Sequence, residues 1–156
     1  MRYYADSSFI VKLISFEPDS EEAIAEFRRI GCPSLPLLAL HELEICNAIL
    51  HKAWHQRQSL PSRERRNVER EKQAARARLN RMVQRGSFQR VSPDWEVVFA
   101  DAQRLADVHT EAKGTRAYDL LHVSASLRLE CESFLSLDQR QSEVARAEGL
   151  KVVSPR

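Results

Sequence analysis

The chain has 156 residues, 43% of them hydrophobic and 29% charged, and a formal net charge of +2. That balance predicts one globular domain over 1–156 and excludes a disordered, collagen-like or disulfide-scaffold protein. No apolar run reaches the ~20 residues of a membrane span, no secretory leader is visible, and Cys32, Cys46 and Cys131 form no CxxC pair, so reduced, mostly buried thiols in a cytoplasmic protein are expected.

In chain order, Arg2 to Ala5 reads as a short strand with β-prone tyrosines. Ser7 or Ser8 is placed to cap a helix through FIVKLI. Asp19 and Ser20 lead EEAIAEFRRI, whose acids precede its bases as the helix dipole favours, and Gly31 stands where it would end. CPSLPLL is extended, and its two prolines argue against a central strand. A helix is predicted from about Ala39 to Gln58, with Leu43, Cys46, Asn47 and Leu50 on one stripe. The 61–86 segment, opened by Pro61, reads as a long polar helix with few apolar positions. SFQRV is strand-like, and Ser92-Pro93-Asp94, read as cap, first helical proline and first-turn acid, starts a helix that stops at Gly114. Thr115 to Glu130 is a further helix, SFLSL a strand ending at Asp138, QRQSEVARAE a helix closed by Gly149, and LKVVS a last strand. Strands alternating with helices predict an α/β fold with a mostly parallel sheet.

Charge is unevenly spread. Residues 52–90 hold 12 Lys+Arg against 3 acids, a local +9 that leaves −7 for the remainder. Such a basic segment suits either a polyanionic partner or a solvated helix surface.

Two predicted strands end in the same way, one at Asp6 and one at Asp138. The carboxyl ends of parallel strands line the crevice where ligands bind. Either aspartate alone would serve as a turn or cap; two with the same placement favour a site. Two helical acids can join them. Glu44 shares a helix side with Asn47, and Asp119 shares one with Thr115 and His122, each in an otherwise apolar segment. Carboxylates ~5 Å apart repel by roughly 3 kcal/mol at an effective dielectric of ~20. Four acids gathered together would therefore call for protonation or for a hard divalent cation, Mg²⁺ or Mn²⁺.

YADSSFIVKL, LHELEICNAI, GTRAYDLLHVSASL and FLSLDQRQSEVARAEGLKV, in that order, resemble the pattern of PIN-domain ribonucleases, and more narrowly of VapC toxins of type II toxin–antitoxin pairs. The resemblance implies a three-layer α/β/α domain whose central sheet is flanked by helices. It implies a Mg²⁺- or Mn²⁺-dependent endoribonuclease acting on RNA, inhibited by a cognate antitoxin and commonly a homodimer. It places the four acids at Asp6, Glu44, Asp119 and Asp138, as catalytic residues and metal ligands. Glu42 competes with Glu44, but the two lie about 200° apart on a helix, and the family's acid stands three residues before an Asn-Ala pair, here Asn47-Ala48. The family hydroxyls correspond to Ser7 and Ser136. Asn47, Thr115, Arg116 and Arg140 are further candidates for supporting the acids or meeting substrate phosphate, whereas His122 reads as a core-edge histidine within reach of Asp119 or the helix start, rather than as a metal ligand. Trp54 and Trp95 read as core or dimer packing. HELEI lacks the second His of a zinc-protease motif. Two other functions stay open: a catalytically silent PIN-like module that binds RNA or protein, and a structure-selective DNA nuclease.

Overall fold

A computed structural model describes residues 2–154. In chain order the elements are β1 (Tyr3–Ala5), α1 (Ser7–Ile14), α2 (Ser20–Arg29), β2 (Leu35–Leu37), α3 (Ala39–Ser59), a 3₁₀ turn (Ser62–Glu64), α4 (Arg65–Gln84), β3 (Phe88–Arg90), α5 (Trp95–Lys113), α6 (Ala117–Arg128), β4 (Ser133–Leu135), α7 (Gln139–Ala147) and β5 (Lys151–Val153). Every strand pairing is parallel. β1, β4 and β5 form one sheet in that order, and β2 and β3 form a second.

The two faces of the strands carry different cores. Tyr4 and Phe134 point into a cluster with Val98, Leu105, Leu120, Val123 and Val144 from α5, α6 and α7. Ala5 and Leu135, one residue on, point into a cluster with Phe9, Ile10, Ile14, Ile45, Ile49 and Phe88 on the α1–α4 side. The strand period of two thus produces the helix–sheet–helix layering.

The break between the two sheets has a local cause. Leu35 donates its N–H to Ser87 and Leu37 accepts from Val91, so the residue between them faces β1 instead of β3. That residue is Pro36, which has no N–H to give. His41, fully buried at the start of α3, spans the gap: its Nδ1 accepts from the Leu38 N–H at 2.9 Å and its Nε2–H donates to the Ala5 carbonyl at 2.9 Å. The prolines of CPSLPLL therefore leave a strand, but one that ladders on one side only.

Several local expectations need correction. The cap of α1 is Asp6, not Ser7 or Ser8, since its side chain accepts from the Phe9 N–H. Asp94, not Ser92, caps α5. The stripe of Leu43, Cys46, Asn47 and Leu50 faces solvent, and α3 buries Leu40, His41, Ile45, Ile49 and Ala53 instead. Cys32 and Cys46 are exposed; only Cys131 is buried, and burial pushes its thiol up to about 11. Trp54 is exposed and so lies outside the core, while Trp95 packs against it. Among the described residues no helix is long and apolar enough to cross a membrane.

Candidate active site

β1 and β4 are neighbours, with Ala5 opposite Leu135, so the residues following them emerge side by side. Asp6 follows β1 and is almost fully buried. Its Oδ1 accepts from the Phe9 N–H and from Ser8 Oγ, each at 2.8 Å, and its Oδ2 accepts from Ser136 Oγ at 2.6 Å. Ser136 in turn accepts from the Asp138 N–H at 3.0 Å, so one hydroxyl ties together the acids of the two strand ends. Asp138 caps α7, its Oδ1 accepting from the Gln141 N–H at 3.1 Å.

The helical acids arrive from opposite layers. Asp119 lies in the first turn of α6 and accepts from the backbone N–H of Arg116 at 3.0 Å. The Arg116 guanidinium meets Asp119 through Nε at 3.1 Å and through Nη2 at 3.2 Å, and the same Nη2 reaches Asp138 Oδ2 at 3.1 Å. Glu44, on α3, accepts at Oε2 from Ser7 Oγ at 2.7 Å and from His122 Nε2 at 2.5 Å. Glu42 sits elsewhere, bound to Arg90 at 2.8 Å.

The acids are therefore linked through shared partners: Asp6 to Asp138 by Ser136, Asp138 to Asp119 by Arg116, and Glu44 to the start of α1 by Ser7. They do not form a bare four-carboxylate nest: Arg116 stands between Asp119 and Asp138, and His122 holds Glu44. Among the described residues no three His, Cys, Asp or Glu side chains are drawn together so as to hold a metal ion. The donor chemistry nevertheless suits a hard divalent cation, since every candidate ligand is a carboxylate oxygen.

Environment separates the acids. Burial raises Asp6 above its ordinary value, against the opposing bonds from Ser136, Phe9 and Ser8. Burial also pushes Glu44 upward, but His122, Ser7 and the nearby charge of Arg116 outweigh it and hold the group below the usual range. The bond to Asp119 and the charges of Asp119 and Asp138 keep Arg116 firmly protonated.

An open cleft of about 670 Å³ adjoins this cluster, lined in part by Ser7, Ser8, Glu44, Asn47 and Tyr118. Asn47 is exposed on its wall. Two expected contributors point elsewhere. Thr115 bonds Thr110 at 3.0 Å, and Arg140 bonds the Gly114 carbonyl at 3.3 Å. His122, expected to bond Asp119 or the helix start, bonds Glu44 and Tyr4 instead. Tyr4 and Gln141 also join the site, without a motif that marks them in the sequence. Gln141 is buried and donates to the Asp119 carbonyl at 3.2 Å, which ties α7 to α6 beside the acids. Its only signal was a place three residues after a capping aspartate.

A family model of the PIN domain matches residues 3–147, nearly the whole chain. The chain belongs to the PIN-domain family. The fold agrees with the crystal structure of VapBC2 from Rickettsia felis bound to a DNA fragment from their promoter, with a TM-score of 0.61, 12% identity and 100% of both chains covered. It also agrees with FitAcB from Neisseria gonorrhoeae, with a TM-score of 0.56, 14% identity, and 96% and 95% of the two chains covered. No curated protein sequence matches this PIN-domain chain.

Proposed function

We propose that this PIN-domain protein is a divalent-metal-dependent endoribonuclease and the toxin of a VapBC-type pair. PIN domains are nucleases, and they generally work with a divalent metal. The observation that supports this reading best is the Ser136 bridge, which joins Asp6 and Asp138 at the carboxyl ends of paired strands while Glu44 and Asp119 close in from α3 and α6.

Asp6, Glu44, Asp119 and Asp138 would hold the ion. When bound, it supplies Lewis-acid activation of water and neutralises charge on phosphoryl oxygens. The chain's own residues do the rest. Ser136 and the start of α1 fix Asp6, Gln141 fixes the backbone of Asp119, and Ser7 orients Glu44. Arg116 has a side chain 63% exposed at the mouth of the cluster, where its guanidinium can meet a phosphate. The exposed arginines of α4 add a nonspecific attraction for a nucleic acid backbone.

An antitoxin partner follows from the same reading. Exposed Leu43, Leu50 and Trp54 on α3 offer apolar surface to a protein, whether antitoxin or second copy.

The test is cleavage of matched RNA and DNA with added Mg²⁺ or Mn²⁺ and with chelator. We expect RNA cleavage that needs the ion, with Asp6→Asn or Asp119→Asn abolishing it while circular dichroism and melting show an intact fold. Full metal-dependent activity in either variant would refute the assignment. Salt-sensitive RNA binding without a cut would indicate a silent binding module, and preferential DNA cleavage a DNA nuclease.

A further inference from the structure

Glu44 reaches the cleft from the second turn of α3, past the first-turn positions where a cap or free backbone N–H would steady its carboxylate. Two donors hold it all the same, and both bind Oε2: Ser7 Oγ at 2.7 Å and His122 Nε2 at 2.5 Å. Oε1 makes no hydrogen bond among the described residues.

His122 is an unusual partner for a cleft carboxylate. Its side chain is 3% exposed, while that of Glu44 is 26% exposed. The second ring nitrogen, Nδ1, lies 2.8 Å from the hydroxyl of Tyr4, which is itself fully buried. The Glu44 carboxylate can only accept, so Nε2 must supply the proton between them, and Nδ1 is open to the Tyr4 hydroxyl. The hydroxyl donates to Nδ1, and the ring proton is left on Nε2, aimed at Glu44. The ring has little room to turn: His41 lies 4.8 Å away between centroids and Tyr4 5.8 Å, with Tyr4 stacked on Phe134 at 5.5 Å. A chain of fixed donors thus runs from the β1–β4 core through Tyr4 and His122 to one oxygen of Glu44.

We propose that His122, backed by Tyr4, is a positioning residue of the acidic site: it commits Oε2 of Glu44 and so leaves Oε1 for the cation. The inference rests on reading the four acids as ligands of a divalent ion. Residues that orient metal-binding side chains typically govern affinity by 10- to 100-fold. His122 has no direct route to substrate in this arrangement and acts only through Glu44.

The test compares variants at His122 by the donor they retain. Gln at this position extends an amide N–H toward the place of Nε2. Asn reaches only as far as Nδ1. Mn²⁺ binding to the full chain is measured by the electron paramagnetic resonance of the free ion. We expect His122→Asn to weaken binding about 10-fold or more, His122→Gln to restore most of it, and Tyr4→Phe to show a smaller loss. Imidazole ¹⁵N–¹H spectra of the wild type should show the His122 proton on Nε2. A folded His122→Asn with wild-type Mn²⁺ affinity would overturn the proposal, as would Gln and Asn losing affinity equally, or a ring proton on Nδ1. If His122→Asn does not fold, His122→Gln, Tyr4→Phe and the wild-type spectrum decide. If the wild type binds Mn²⁺ no better than Glu44→Gln, the metal reading fails on its own terms, and the spectrum separately judges the hydrogen-bond chain.

Discussion

Arg116 bridges two carboxylates with one side chain, and the bridge is exposed enough to open. Its guanidinium contacts Asp119 and Asp138, yet the side chain is 63% exposed, so water screens the pair. A cation entering between those acids competes with the arginine. Arg116→Gln should therefore tighten Mn²⁺ binding roughly 2- to 5-fold, which corresponds to the ~0.5–1 kcal/mol that an exposed pair contributes. Calorimetric titration checks this, and weaker binding in the variant would show that the arginine organises the ligands instead. Part of this arrangement was legible beforehand. Asp6 and Asp138 each close a β-prone run, and the Asn47-Ala48 pair marked Glu44 over Glu42. Arg116 also stood out as a candidate to support the acids; that it bridges two of them did not, because this depends on where the start of α6 lies against the start of α7. Thr115 misled for a local reason: Arg116 is the N-cap of α6, so the spacing from Thr115 to Asp119 is not helical, and the threonine hydroxyl turns to Thr110.

At the level of elements, helices and their order follow from periodicity and caps, and strand pairing does not. The alternating pattern of YYA and SFL shows two faces but says nothing of register. The β1–β2 gap illustrates the limit: Pro36 warned against a regular strand, and nothing in the chain indicated that a histidine from the next helix would span the break. His41 holds two buried backbone groups, the Leu38 N–H and the Ala5 carbonyl. His41→Leu leaves both without a partner and should cost about 2–4 kcal/mol in denaturant unfolding at pH 7.5. The pH dependence has a definite sign. Burial holds His41 well below its ordinary value, so the folded ring stays neutral where the unfolded ring takes up a proton. Its contribution is fully present above the ordinary histidine value and is lost as pH falls below it. The gap between wild type and His41→Leu should accordingly narrow between about pH 6.5 and pH 5; a gap that widened toward acid would mean the ring is charged in the fold. The solvent-facing stripe on α3 shows the same limit from the other side, for an apolar stripe in sequence does not say which neighbour will cover it.

For the molecule as a whole, the segregation of charge seen in the sequence survives folding as a basic arm beside an acidic cleft. Much of the arm's charge is spent internally. Arg57 and Lys72 pair with Glu69, Lys52 reaches Glu17 and Glu71, and Arg78 lies 4.2 Å over the Phe16 ring while donating to the Ile14 carbonyl. Arg65, Arg66, Arg70, Arg81 and Arg85 are exposed and form no ion pair among the described residues. Helical spacing puts Arg66, Arg70 and Arg81 within about 60° of one another, opposite the buried Val68 and Ala75. If this ridge meets RNA, each arginine that contacts a phosphate releases about 0.7 of a counterion from a single strand. Changing Arg66, Arg70 and Arg81 together to Gln should then flatten the slope of log affinity against log salt by about 2. Cleavage at saturating RNA should change little, because these side chains lie outside the carboxylate cluster. Fluorescence anisotropy across a salt series, with an inactive Asp119→Asn background to prevent cutting, measures the slope. An unchanged slope would remove the arm from substrate binding and leave a protein partner as the reason for its charge.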